Sequence, residues 1–174
     1  MFNNKSVKTI AAFVDAKVSD GAHAVVVARP SRKNPGTIEV LSAHVSKTGA
    51  PLMKQMKKLY ESEIRAHAIE GVYTSPEARE ITGECSHLSG FHFAWVPAKI
   101  VAAREQLAAM VAEQGDHIVR IDASKCENAD LIDRAKEEGG PVYDAFALAI
   151  WTVERDMNDG EPEHYKIERN LDWS

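Results

Sequence analysis

The stretch "TIAAFVDAKVSDGAHAVVVA", Thr9 to Ala28, decides the fold. Its first part, Thr9 to Asp15, is almost wholly apolar and ends on an acid. A short apolar run without polar alternation reads as a central strand. "SDG" then supplies the Asp-Gly pair that favours a tight hairpin turn. His23 to Ala28 is rich in β-branched residues and reads as the return strand. After the polar, turn-rich "RPSRKNPG", the segment "TIEVLSAHV" (Thr37 to Val45) reads as a third strand. Three strands joined by turns make an antiparallel meander.

Downstream the period changes. In "APLMKQMKKLYESEI" the residues Leu52, Met53, Met56, Leu59 and Tyr60 share one helical face, with Pro51 suited to the first turn. "HAIEGVY" is a short strand expected to end near Glu70. "TSPEAREITGECSHL" starts a second helix, with Ser75 as cap and Pro76 at its first position. "FHFAWV" (Phe91 to Val96) reads as a fifth strand. "PAKIVAAREQLAAMVAEQG" predicts a long helix with Ile100, Ala103, Leu107, Met110 and Val111 along one side and Gly115 at its end. "HIVRID" suggests one more short strand, and "NADLIDRAKEEGG" a helix closed by Gly139 and Gly140. In the last helix, "GGPVYDAFALAIW", the residues Tyr143, Phe146, Ala147, Ile150 and Trp151 form the apolar stripe. The expected order is β-β-β-α-β-α-β-α followed by more helix. That predicts an α/β fold: a mixed sheet of five or six strands with helices on both faces.

The bulk numbers bound the function. A chain of 174 residues with 44% hydrophobic content fills one core. We assign residues 1–156 to one domain and 157–174 to a polar C-terminal tail. No apolar run long enough to span a bilayer occurs, so no membrane partner is expected. Two cysteines, Cys85 and Cys126, lack metal-ligand spacing, which fits a reduced cytoplasmic protein, with a structural disulfide as the lesser alternative. A net charge of −5 argues against a whole-surface nucleic-acid binder and leaves room for local basic patches. "RPSRKNP" and "KQMKKLY" are two candidates; each also reads as an ordinary solvated loop or helix face.

The acids carry the chemical signal. Asp15 ends the first strand, Glu70 follows "HAI" in the fourth, and Asp144 enters the last helix at the edge of its stripe. Each abuts hydrophobic residues, and a buried carboxylate needs a partner cation or a metal. Each alone also has a bland reading: Asp15 as a turn residue, Glu70 as a strand-end surface acid, Asp144 as a partner for the helix dipole. In this kind of sheet the first and fourth strands can lie side by side, and a docked helix can bring its first turn to the same edge. Carboxylates gathered there suit Mg²⁺ or Mn²⁺. Two such ions clamp the attacking and leaving oxygens of a phosphodiester. The histidines are scattered and read as ordinary surface or sheet residues.

Over roughly Thr9 to Val153 the chain resembles a known family. "FVDAKVSDGAHAVVVARP", "GTIEVLSAHV", "AHAIEGVYTSPEAREI", "HFAWV" and "YDAFALAIW" together look like the ribonuclease H-like nuclease fold. Within it the order is most similar to the C-terminal nuclease domain of phage large terminase subunits. RuvC-type Holliday junction resolvases share the three acids, and "AIEGVY" and "DAFALAI" resemble their motifs too. The resemblance implies Asp15, Glu70 and Asp144 as catalytic, metal-binding acids holding two Mg²⁺ or Mn²⁺ ions. It implies Lys99 and Arg104 as phosphate-facing or structural, with Lys17 and Tyr73 as further DNA contacts. The implied substrate is double-stranded or branched DNA. Terminase-like action implies a separate packaging ATPase and portal as partners, because no G-x-x-x-x-G-K-[ST] loop occurs here. Resolvase-like action implies a homodimer. One departure stands out: "GGPVYDA" lacks the acid or His that both families usually place shortly before the Asp-Ala pair. Asp20, Glu137 and Glu138 are candidate substitutes. The alternative is a non-catalytic DNA-binding relative with a degraded site.

Overall fold

Thr9-to-Asp15 apolarity has a direct structural consequence. In the computed structural model β1 spans Ile10–Val14, and all five of its residues are fully buried. The structure describes residues 9–14, 21–48, 68–72, 91–94, 98–114, 119–122 and 124–159. The sequence-predicted helices beginning at Pro51 and Ser75 lie outside the described residues.

β2 spans His23–Pro30 and pairs antiparallel with β1, from Ile10↔Ala28 to Val14↔Ala24. β3 spans Ile38–Ser46 and pairs antiparallel with β2, which completes the meander. β2 runs two residues further than its β-branched core suggested, through Arg29 and Pro30. The Arg29 guanidinium donates to Glu39 Oε2 at 3.4 Å across the strand pair, in register with it. Pro30 lacks a donor and suits the strand end.

β4 spans Ala68–Val72 and pairs parallel with β1 on its other side. β5 (Phe91–Ala94) adds parallel to β4, and the two-residue β6 (Val119–Arg120) adds parallel to β3. The sheet order is β5-β4-β1-β2-β3-β6, so β1 is central, as its composition required. The body of the sheet is the mixed four-strand set β4-β1-β2-β3. This is a mixed α/β fold.

The pairing shifts register between Val27 and Ala28, because Val27 opposes Ser42 while Ala28 opposes Val40. Leu41 is the extra residue of this bulge. The bulge changes which β3 residues reach the core, from Ile38 and Val40 on one side of it to Ala43 on the other. It also hands backbone groups to a neighbour: Leu41 O accepts from Glu127 N at 2.9 Å, and Ala43 N donates to Glu127 O at 3.0 Å.

Three helices are described: α1 (Ala98–Gln114), α2 (Ala129–Glu138) and α3 (Pro141–Asp159). All three share one core with the sheet face that carries Ile10, Ala12, Val14, Ala24, Val26 and Ala28. The opposite face, with Ala11, Phe13, Val25 and Val27, is also fully buried. α1 docks by the stripe Ile100, Ala103, Leu107 and Met110. Val111 was expected in that stripe but is 38% exposed, at the edge of a groove that also takes in Leu107, Tyr143 and Phe146. α2 ends at Gly139, whose N–H returns to Ala135 O at 2.7 Å with φ 73°. Asn128, just before α2, sits at φ 59° and donates from Nδ2 to Ala43 O at 3.0 Å, tying the helix start to β3.

α3 departs most from its sequence reading. The five-residue stripe is only part of what it buries: every residue from Asp144 to Ile150 is buried, while Tyr143 and Trp151 are partly exposed. The reason is its position, between the sheet and the helices α1 and α2. A helix packed on several sides reads as a block of small and apolar residues rather than a stripe. α3 opens at Pro141, within the expected stretch, and continues past Asp156 to Asp159.

Candidate functional site

Asp144 lies in the first turn of α3, its backbone N–H bonded to Gly140 O at 3.1 Å. The sequence placed it at the edge of the apolar stripe; it is instead 1% exposed. A carboxylate removed from water needs a counter-charge, and α1 supplies one. Arg104 Nε donates to Asp144 Oδ1 at 2.6 Å, and its Nη2 lies on the same oxygen. The pair is asymmetric: the Arg104 side chain is 46% exposed and that of Asp144 only 2%. Small residues make this approach possible. Ala103 on α1 and Ala145 and Ala147 on α3 are buried in the core where the helices meet.

The other expected ligands are placed by backbone alone or not at all. Asp15 directly follows the last residue of β1 and lies outside the described residues, as do Lys17 and Tyr73. Glu70 is not at a strand end. β4 runs on to Val72, because "AIEGV" pairs along the full length of β1. Glu70 therefore occupies a mid-sheet row, His92–Glu70–Ala12–Val26–Ala43, and the last three of these belong to the core under α3. Val14 pairs with Val72, so Glu70 is two rows back from the end of β1. Lys99 falls in the first turn of α1, placed by backbone only. Of the expected site residues, Arg104 and Asp144 are brought into side-chain contact.

His23 is a residue that sequence reasoning passed over as ordinary. It is fully buried at the start of β2, one row beyond the Val14–Ala24 pair, and stacks on Phe13 with ring centroids 5.8 Å apart. Its place immediately before the apolar run of β2 was the available signal.

The basic stretch Arg29–Pro35 belongs to a different region. Arg29 faces Glu39, and Ser31 closes the loop: its Oγ donates to Glu39 Oε1 at 3.0 Å and accepts from Asn34 N at 3.1 Å. This loop follows the C-terminal end of β2, level with Ile10, whereas Asp15 follows Val14 at the other end of β1. It is a solvated turn, remote along the strand from the candidate acids. "KQMKKLY" lies outside the described residues. Glu137 and Glu138, suggested as substitute ligands, are exposed at the end of α2, and Asp20 is outside the described residues.

Between α1 and the first half of α3 runs a groove lined by Leu107, Val111, Val119, Lys136, Tyr143 and Phe146. Lys136 Nζ stands 5.7 Å from the Phe146 ring centroid within it. The groove continues the same helix seam that holds the Arg104–Asp144 pair.

The donor set suits a hard divalent cation, since all three expected ligands are carboxylates. Among the described residues no group of three or more His, Cys, Asp or Glu stands together. Cys126 is a free, buried thiol. No helix among the described residues is long and apolar enough to cross a membrane. No protein-family model matches the chain, and no curated protein matches it.

Proposed function

We propose that this chain is a ribonuclease H-like, metal-dependent DNA endonuclease, resembling the nuclease of phage large terminase subunits. One observation carries the reading. A buried carboxylate, Asp144, lies in the sheet-facing helix α3, and β1, which leads into Asp15 in the sequence, and β4, which contains Glu70, are parallel neighbours in contact with that helix. The sheet order adds support: three antiparallel strands, then parallel additions on the β1 side, is the arrangement the resemblance implies.

In this reading Asp15, Glu70 and Asp144 hold two Mg²⁺ or Mn²⁺ ions. When bound, such ions supply a water of lowered pKa and neutralise charge at the scissile phosphate. The chain's own contribution is positional. α3 fixes Asp144 through its helical backbone and its packing on the sheet. Lys17, Tyr73, Lys99 and Arg104 serve the DNA backbone around the acids, as sequence-independent phosphate contacts do.

The test is plasmid nicking by the purified protein with Mn²⁺ or Mg²⁺, abolished by EDTA and by Asp15→Asn or Asp144→Asn. Full cleavage by both variants defeats the assignment. Symmetric cutting of a four-way junction in preference to linear duplex moves it to the resolvase type.

A second reading has its own observation. Arg104 already neutralises Asp144, and the acid usually found before the Asp-Ala pair is missing at Pro141, Val142 and Tyr143. A non-catalytic DNA-binding relative would keep this ion pair as part of its core. Calorimetry showing no heat with millimolar Mn²⁺, together with retained DNA binding, selects it.

A further inference from the structure

We infer that the β2–β3 loop and β6 form a second surface for nucleic acid, with Arg32, Lys33 and Arg120 as contacts to its sugar–phosphate backbone. The surface lies level with Ile10, at the start of β1, and uses none of the acids or metals of the reading above.

The charge is concentrated. Between Arg29 and Ile38 the chain carries Arg29, Arg32 and Lys33 and no acid, in a protein whose net charge is −5. β6 brings Arg120 to the same corner, because Arg120 pairs with Glu39 and Glu39 with Arg29 across neighbouring strands. Glu39 is the acid of that row, and it is engaged by Arg29 and by the Ser31 hydroxyl. Arg32, Lys33 and Arg120 are exposed and enter no ion pair among the described residues. Asp122, two residues after Arg120, is turned to Ser124, whose hydroxyl and N–H both donate to its Oδ1. Arg120 acts on that carboxylate more weakly than Lys125 does. Three cations without counter-charges at one corner of an acidic protein set up a local positive field that draws an anion.

The loop is already set. Ser31 N–H donates to Thr37 O at 2.8 Å, Thr37 N–H donates to Asn34 O at 3.1 Å, and Gly36 takes φ 84° to close the turn. A ligand therefore need not order this backbone, which lowers the cost of binding. Between the loop and β6 lies an open cleft of about 390 Å³, lined by Asn34, Thr37, Val119 and Arg120. It has room for a phosphate group, and its guanidinium, amide and hydroxyl are all donors suited to phosphate oxygens. Arg32 and Lys33 stand outside the cleft on the exposed turn, so the positive charge is spread along the loop. A single phosphate ion fills only the cleft; a linear polyanion meets all three cations. The exposed residues Arg32 to Gly36 include no large apolar side chain. A protein partner finds no apolar anchor there, and a membrane nothing to take into its interface.

The test is fluorescence anisotropy of a labelled duplex DNA of random sequence, in EDTA, over a range of salt concentrations, with circular dichroism to confirm folding. EDTA keeps metals and cleavage out, so the result is separate from that of the nicking assay. The triple variant Arg32→Ala, Lys33→Ala, Arg120→Ala is expected to bind about tenfold or more weakly than native protein at about 100 mM salt, with a log–log salt slope smaller by about 3. Arg120→Lys keeps the charge and is expected to keep the native slope. The double variant Arg134→Ala, Lys136→Ala removes two charges from exposed positions of α2 and is expected to lose far less affinity than Arg32→Ala, Lys33→Ala. No binding by native protein, an unchanged slope in the triple variant, or an equal loss in the two double variants overturns the inference. Displacement of the DNA by poly-glutamate as readily as by unlabelled duplex also overturns it, because the surface then reads charge alone and not phosphate.

Discussion

Removing the charge of Arg104 is expected to cost more stability than removing the carboxylate it faces. Arg104→Met leaves a carboxylate that is 1% exposed without its guanidinium partner. Breaking a fully buried pair from one side costs about 3–5 kcal/mol. The guanidinium is 46% exposed, so water can enter the vacated place, and the cost falls to about 2 kcal/mol. Asp144→Ala instead frees a head group that is already half in water. It loses a favourable charge in the first turn of α3 and gains helix propensity, for a net cost of about 1 kcal/mol. In the double variant neither charge remains, so the cost is again about 1 kcal/mol and the coupling energy is about 2 kcal/mol. For a chain of this size Arg104→Met should melt about 4–8 °C lower than native protein. Urea denaturation of the four proteins of the cycle measures these quantities directly. A larger loss for Asp144→Ala than for Arg104→Met, or strict additivity in the double variant, refutes the reasoning.

Three further outcomes follow from local features. Burial pushes the Cys126 thiol up from 9.0 to about 11, with Asp133 and Glu127 adding to the effect. At pH 8 the native protein should alkylate at Cys126 about 100-fold more slowly than an unfolded control, as read by peptide mass spectrometry. Ser124 donates from its hydroxyl at 2.6 Å and its backbone N–H at 3.0 Å to Asp122 Oδ1, and holds that carboxyl below 3.8. The contribution is therefore present above the unfolded pKa and lost as pH falls through the lower folded value; Ser124→Ala should raise the Asp122 midpoint in an NMR titration. Gly139 sits at φ 73°, ψ −151°, a region open to glycine alone, and an added Cβ would meet nothing within 4 Å. Gly139→Ala should cost about 1–3 kcal/mol in chemical denaturation from backbone strain, and Gly139→Asn should bring no relief because this is not the left-handed helical region.

The parts of the fold that were legible in the sequence are those set by local chemistry. An unbroken apolar run marked β1 as central, β-branched residues marked β2, and "EEGG" marked the end of α2. What was not legible depends on contacts distant in the chain. β4 extends through Glu70 because β1 offers pairing groups along its whole length, which "HAIEGVY" does not reveal. Val111 looks like a core residue by spacing, yet it lies 38% exposed beside a groove between α1 and α3. The block of small residues "DAFALA" could have signalled a helix buried on several sides, but an amphipathic stripe can be drawn through it equally well.

The candidate site divides in the same way. Asp144 was singled out because an acid among apolar residues demands a counter-charge. Its partner could not be read from sequence, since Arg104 stands forty residues away and presents an ordinary helical surface pattern. The Arg104–Asp144 pair contributes to answering that electrostatic demand.

The central claim is that Asp15, Glu70 and Asp144 share divalent ions, and crystallography of the native protein soaked in Mn²⁺, with the anomalous signal used to place the ions, tests it most directly. The account predicts manganese within about 2.1 Å of a carboxylate oxygen from each of the three residues. Manganese elsewhere, or none at the three acids at saturating metal, contradicts it.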